Sequence, residues 1–487
     1  MLKKNVYLNL IDGQWVQSET GITFACVNPA NQEIIGYAQK SNENDMQKAI
    51  DSAKKAYIKS DWRRNPNLRY RVMMECASLL EQHKGELAHL LTLNNGKTIV
   101  EAGAEISSCI DGFQYYAGLI RNMFGRSINP SEDSLAVLCR EPMGVVGIIS
   151  PWNWPAWLMV RGMAPALAAG NAVVIKPASY TAAINMKVIS ILSQVKELPK
   201  GIVNAVSGPG EVVGEQLAKS EKVNMIDFTG DAATGEKISI AAARTVKKVS
   251  LELGGKSPNV IFDDANLNKA IPGAIWAFLF TSGQLCMAGT RLVVQDTIYD
   301  EVLKRLKVEL EKLKVGNGLD ESSHMGPLVA EGQLNTVMKY IELGKKEGKL
   351  LTGGFRLSGG DYDKGFFVPP TVFTDLPRDS KLVQEEIFGP VLVVQKFHTE
   401  EEAIEIANDT RYGLAGAVWT NDVNRAVRVA REIEAGTVWI NTYNKFYTEA
   451  EFGGYKLSGV GRTHGVEALL ECTEIKHINF DIKQTYF

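Results

Sequence analysis

MGVVGIISPWNWPAWLMVRGMAPALAAGNAVVIK, residues 143–176, is the stretch whose reading decides the fold. It opens with an apolar Val/Ile strand, MGVVGIIS, and continues as a helix, PAWLMVRGMAPALAAGN. Gly170 and Asn171 stop that helix, and a second strand, AVVIK, follows. Strands with uninterrupted Val/Ile runs suit a parallel sheet buried on both faces. The same order recurs in IVNAVSG (202–208) with EVVGEQLAKS (211–220), and in NMIDFTG (224–230) with AATGEKISIAAAR (232–244). Strand–helix–strand repetition predicts a doubly wound α/β sheet.

Outward from there, the N-terminal side begins with a short strand-like NLIDGQWV (9–16). Residues 44–60 and 66–92 carry helical periodicity. On the C-terminal side a second α/β series starts after about residue 260, with PNVIF (258–262), TRLVVQ (290–295), the helix DEVLKRLKVELEKL (300–313) and GTVWIN (436–441). Two α/β domains suit 487 residues, too many for one core. The net charge of −3 offers no long-range field for nucleic acid or an acidic membrane. The longest wholly apolar run, AIWAFLF (274–280), is far short of a membrane span. No signal peptide is read at the N-terminus. The six cysteines are scattered without a CxxC pair, so disulfides are not expected and a reducing cytoplasm fits. The histidines show neither HxxxH nor HExxH spacing, which gives a metal site no support.

Glycines mark where a ligand approaches the backbone. SGPGEVVG (207–214) and FTGDAATG (228–235) each lie between a strand and a helix, where backbone N–H groups hold phosphate. Neither is a strict GxGxxG, but two in succession favour a nucleotide. Three residues carry chemistry. Cys286, in FTSGQLCMAGTR (280–291), ends an apolar run beside Gly283 in a polar hinge. Glu252 stands between apolar neighbours before two glycines, and Asn153 is held between tryptophans and prolines. A thiolate nucleophile needs a base and an oxyanion donor, and these are a carboxylate and an amide. Singly, each has an ordinary reading as a core thiol, a surface pair or a turn residue; together, on three loops of one series, they point to a site.

SPWNWP, IKPAS, FTGDAATG, LELGGKSPNV, GQLCMAGTR, EEIFGPVL and FGGYKLSGVGR run in that order along the chain. Together they resemble the aldehyde dehydrogenase superfamily over nearly its whole length. The resemblance implies a Rossmann-like NAD(P)-binding domain (1–120 and 143–254) and an α/β catalytic domain (255–454). It also implies a small β oligomerisation element (121–142 and 470–487), whose tail HINFDIKQTYF alternates apolar and polar residues as an added strand would. A homodimer or homotetramer follows. Carried over residue by residue, Cys286 is the nucleophile, Glu252 the general base and Asn153 the oxyanion donor. Ile149, Ser150, Trp152, Lys176, Ser179, Gly210, Gly214, Phe228, Thr229, Gly230, Asp231, Leu253, Gly254, Glu386 and Phe388 would contact the cofactor. Lys176 would meet the adenosine ribose, Glu386 the nicotinamide ribose and Phe388 the nicotinamide ring.

Two departures bear on the cofactor. Many relatives carry Glu three residues after the lysine, where Ser179 stands here; its absence removes a charge that would repel a 2′-phosphate. NAD is therefore expected with NADP tolerated. Asp231 stands where a small hydroxyl residue is frequent.

For the small-molecule substrate, Arg161, Trp154 and Tyr443 are the expected contacts. An arginine two turns after Asn153 holds a carboxylate or a hydroxyl, so a small hydroxy- or oxo-acid aldehyde is the leading expectation. Phe280 replaces the second arginine of succinic semialdehyde enzymes, which counts against a tightly held dicarboxylate. The loop NTYNKFYTEAEFGG (441–454) competes. Its Tyr443, Phe446 and Tyr447 would box a trimethylammonium group, and its Glu449 and Glu451 attract a cation. Betaine aldehyde or an aminoaldehyde is thus the alternative. A coenzyme A-acylating semialdehyde dehydrogenase is the third, disfavoured because such relatives typically lack the Glu252 carboxylate.

Overall fold

The computed structural model describes residues 5–483. The ends of the expected cofactor domain and oligomerisation tail, 1–4 and 484–487, lie outside the described residues. Strands Val145–Ile149, Ala172–Lys176, Val203–Ala205, Met225–Thr229 and Lys248–Glu252 run parallel in one sheet. The sheet order places Val145–Ile149 between Met225–Thr229 and Ala172–Lys176, so the chain winds outward from it in both directions. Asn9–Ile11 and Gln14–Val16 extend one edge antiparallel, and Gly459–Val460 caps the other. The register aligns Ile149 with Lys176 and Phe228, and Thr229 with Glu252. The carboxyl ends of four strands thus open at one rim, the place where doubly wound sheets bind ligands.

Helix Pro155–Ala169 is buried along its entire length, between this sheet and the helices Pro66–Gln82 and Ile99–Leu119. Pro155 suits its first turn, and Gly170 ends it at φ 100°, a left-handed conformation that costs glycine little. Trp154, at the cap position, offers no side-chain acceptor. Glu105 takes that role from the neighbouring helix, accepting from Ala156 N at 2.8 Å and Trp157 N at 3.1 Å.

A second sheet follows the order Lys349–Thr352, Thr371–Thr374, Val391–Phe397, Arg291–Gln295, Pro258–Ile261, Ala415–Trp419, Thr437–Ile440. All its neighbours pair parallel except the edge strand Lys349–Thr352. Arg126–Ser131, Ser134–Pro142 and Thr473–Asp481 form a separate antiparallel sheet. Beyond Thr473 every residue of its last strand is exposed.

Two local readings change. The helical stretch 66–92 is two helices, Pro66–Gln82 and Lys84–Asn95, parted where His83 leaves helical geometry. EVVGEQLAKS opens as a wide π-helical turn, Gly210–Gly214, before a single α-turn. The helical pattern around Cys109 extends over Ile99–Leu119, which packs against other helices on several sides, so its sequence lacks a clean polar stripe.

Candidate active site

A cleft of about 840 Å³ opens at the carboxyl rim of the first sheet and runs to the loop carrying Cys286. Its walls include Asn153, Glu252 and Cys286 at one end. Of the residues expected at the cofactor, Ile149, Ser150, Trp152, Lys176, Gly210, Gly214, Phe228, Thr229, Gly230, Asp231, Gly254, Glu386 and Phe388 line the same cleft.

Cys286 follows a tight turn in which Thr281, Ser282 and Gly283 all take positive φ, at 54°, 57° and 73°. Only glycine fits the third position, because a Cβ there would lie 2.2 Å from the Gly389 carbonyl oxygen. Side chains from other elements pin the turn. Glu101 Oε1 accepts from Thr281 N at 2.6 Å, and Ser282 Oγ donates to Gly326 O at 2.9 Å. Gln284 Oε1 accepts from Val329 N at 2.9 Å. Burial pushes the half-buried Cys286 thiol up to about 12, with Glu386 adding to the shift and Arg161 opposing it.

Asn153 is buried and its Nδ2 donates to the Gln284 carbonyl at 3.0 Å, which ties the amide to the cysteine loop. An amide nitrogen carries two donors, so one N–H stays free for a ligand. Glu252 ends its strand buried, and neither carboxylate oxygen finds a hydrogen-bond partner among the described residues. Burial pushes its carboxyl up to about 8; Arg161 pulls it down, Asp227 raises it and Arg462 lowers it. A carboxyl near neutrality beside a thiol is suited to moving protons.

The rest of the cleft wall suits a dinucleotide. Lys176 is buried, and desolvation lowers it to about 8 against the pull of exposed Glu211. Glu386 Oε1 accepts from Gly255 N at 3.2 Å, and a Cβ on Gly254 would come within 2.0 Å of Glu386 Oε2. Phe388, at φ 59°, sets its ring edge-on to Trp152 at 5.1 Å, and Gln333 Nε2 donates to its carbonyl at 2.8 Å. Asp231 caps helix Ala232–Ala243, its Oδ1 accepting from Thr234 N at 2.9 Å. The carboxylate thus occupies one donor of that helix end.

Five expected contacts stand outside the cleft walls. Ser179 turns its hydroxyl to the Gly208 carbonyl at 3.4 Å, and Leu253 is buried in the core. Arg161 bonds a protein group. Its Nη2 donates to Thr229 Oγ1, a buried acceptor, at 2.7 Å. Trp154 Nε1 donates to Thr281 Oγ1 at 2.9 Å, and Tyr443 Oη donates to the Met287 carbonyl at 2.8 Å. Trp154 and Tyr443 nonetheless share an apolar cluster with Phe280, Phe452 and Cys286.

Sequence reasoning missed the supports. Lys97 Nζ meets Glu105 Oε2 at 2.5 Å with both side chains fully buried, and the ammonium lies 4.2 Å from the Trp154 ring centroid. Asn95 Nδ2 donates to Trp152 O at 2.8 Å. One signal was present: Thr98 and Glu101 have capping-box spacing, and the box forms, leaving Glu101 Oε1 for the cysteine turn.

Comparison with known proteins agrees with this geometry. The model of the aldehyde dehydrogenase family matches residues 15–478. Betaine aldehyde dehydrogenase of Bacillus subtilis (strain 168) is 44% identical over 471 residues, covering 96% of each chain. An aldehyde dehydrogenase of Emericella nidulans is 40% identical, covering 98% of this chain and 95% of its own. The crystal structure of Staphylococcus aureus betaine aldehyde dehydrogenase in complex with NAD+ superposes with a TM-score of 0.97 at 38% identity. It covers 99% of this chain and 95% of that one. A match of this extent leaves no other assignment: the chain belongs to the aldehyde dehydrogenase family and is an oxidoreductase acting on aldehydes.

Proposed function

We propose NAD-dependent oxidation of a cationic aldehyde, of the betaine aldehyde or aminoaldehyde class, to its carboxylic acid. The observation that carries the reaction is the single cleft shared by Cys286, Asn153, Glu252, Lys176 and Glu386. The Cys286 thiol gives its proton to water and the thiolate adds to the aldehyde carbon, and the oxygen that gains charge is held by Asn153 Nδ2 and the Cys286 backbone N–H. NAD+ supplies acceptance of the hydride that leaves this carbon. Glu252 then takes a proton from water, whose oxygen attacks the thioester and releases the acid and the thiol. The relative from Staphylococcus aureus is a NAD+ complex, which supports NAD here. Six free cysteines support a reducing compartment, the cytoplasm, and no described helix is long and apolar enough to cross a membrane.

The domain division is retained: 1–120 and 143–254 for the cofactor, 255–454 for the catalytic cysteine, 121–142 and 470–487 for assembly. An antiparallel sheet exposing Ile128, Ile475, Ile478 and Phe480 calls for a cover, and a second copy of the chain supplies one in a homodimer or homotetramer.

The expectation of a hydroxy- or oxo-acid aldehyde rested on Arg161, one N–H of which is taken by Thr229. Aromatic rings favour the cation. Trp154 packs on Phe280 at 5.3 Å, Phe280 on Trp276 at 4.3 Å and Trp439 on Tyr443 at 4.7 Å. Phe446 lies 5.5 Å from Phe452. Aromatic rings hold quaternary ammonium groups, each well-placed ring contributing about 0.5–2 kcal/mol. Without coenzyme A, kcat/KM for betaine aldehyde is expected to exceed that for lactaldehyde or succinic semialdehyde by about tenfold or more. A preference for either anionic or hydroxylated aldehyde would reverse the assignment.

NADP is expected to be used within about tenfold of NAD, a difference of about 1.4 kcal/mol. Ser179 brings no carboxylate to Lys176, and exposed Glu211 is screened by water. Ser179→Glu should depress NADP turnover selectively, and Glu211→Gln should raise it. An NADP/NAD ratio that ignores both changes would show that neither residue selects the cofactor.

A further inference from the structure

Helix Pro155–Ala169 lies beneath the face of the first sheet that carries Asp227, Thr229, Ser250 and Glu252. Residues two apart on a strand share a face, which puts Asp227 beside Thr229. The parallel register pairs Asp227 with Ser250 and Thr229 with Glu252. Arg161 reaches this face through its 2.7 Å bond to Thr229. The next residue, Gly162, sits so close beneath that a Cβ would lie 2.8 Å from Asp227 Oδ1. Arg161 is 4% exposed and its Nε finds no acceptor among the described residues; Glu252 is 3% exposed and its two oxygens find no donor. A buried donor and a buried acceptor left open in one cluster are complementary, and each is costly alone.

We propose that Arg161 is a positioning residue for Glu252: its guanidinium, anchored on Thr229 in the register of Glu252, is the buried counter-charge that favours the Glu252 carboxylate when it takes a proton from water. This rests on Glu252 being the base that activates water. The groups facing Glu252 are Arg161 from the helix, Asp227 from the adjacent strand, Arg462 from the loop beyond Gly459–Val460, and Cys286 across the cleft. Arg161 also faces Tyr116 and His464, and Asp227 faces Cys472. His464 is held neutral, pushed down to about 3 by burial and by Arg161. Burial lifts Asp227 to about 6 while Arg161 draws it down, so two carboxyls compete for one guanidinium.

The competition gives opposite signs. Without Arg161 the Glu252 carboxyl rises further; without the Asp227 charge it falls. The experiment follows acyl-enzyme hydrolysis by quenched flow from pH 5 to 10, with NAD+ binding by fluorescence quenching as the check on folding. Arg161→Met is expected to move the rising limb up by about one pH unit or more, slowing hydrolysis about tenfold below it. Arg161→Lys should return most of that shift, and Asp227→Asn should move the limb down. A limb unmoved in Arg161→Met, or moved the same way by Arg161→Met and Asp227→Asn, overturns the proposal. Should Arg161→Met fail to bind NAD+, an unmoved limb in Asp227→Asn overturns it equally. Glu252→Gln separates the two assignments. Undiminished hydrolysis in that variant removes Glu252 as the base, whereas slowed hydrolysis with no shift in Arg161→Met removes only the role of Arg161.

Discussion

Cys286→Ala is expected to lower kcat for aldehyde oxidation by at least about 10⁴-fold, because an alanine methyl cannot bond the aldehyde carbon and no second thiol shares the cleft. NAD+ affinity should change by less than about 1 kcal/mol, since Lys176 and Glu386 lie at other parts of the cleft wall. Absorbance of the reduced nicotinamide reads the first quantity and fluorescence titration the second. Turnover above about 1% of wild type would move the nucleophile elsewhere. The environment of the thiol sets a pH dependence as well. With burial pushing it up to about 12, the free enzyme holds a protonated thiol at neutral pH. Alkylation of Cys286 should therefore be slow at pH 7 and rise about tenfold per pH unit, as the thiolate fraction does.

Glu105→Ala should have the largest effect on stability. The Glu105 carboxylate is fully buried, meets the Lys97 ammonium at 2.5 Å, and caps helix Pro155–Ala169 through two backbone N–H groups. Burial pushes its carboxyl up, while Lys97 and those two N–H groups pull against that. Removing it strands an ammonium and two amide donors without water, a loss of about 3–5 kcal/mol by urea unfolding. Activity should fall with it, since Asn153 and Trp154 immediately precede the uncapped turn. Lys97→Met combined with Glu105→Gln should recover part of the loss, because no unpaired charge then remains buried. A loss under about 1 kcal/mol in Glu105→Ala would mean that water reaches the pair.

By itself the sequence determined the periodic part of this protein. Val/Ile runs alternating with helices dictated a parallel sheet, since only strands covered on both faces can be apolar throughout, and 143–176 folds as strand, helix and strand at the predicted residues. The glycine loops fall between strand and helix for an equally local reason: backbone N–H groups at a helix start, or a residue with no Cβ, leave a signature a few residues long. Cys286, Glu252 and Asn153 were nameable only as a set, a thiol, a carboxylate and an amide on three loops of one series.

Tertiary structure decided everything that depends on which side chain meets which. The spacing of Arg161 to Asn153 is visible in the sequence, whereas its bond to Thr229, sixty-eight positions away in the chain, is not. Glu105, in an apolar helix without a polar stripe, acquires its role from the bare cap at Trp154 on another element. Helical periodicity ran through His83 because the local pattern continues there while the backbone does not. Sequence encodes propensities of short reach; burial, ion pairing and the shift of a carboxyl by its neighbours arise only when distant segments close over the same few ångströms.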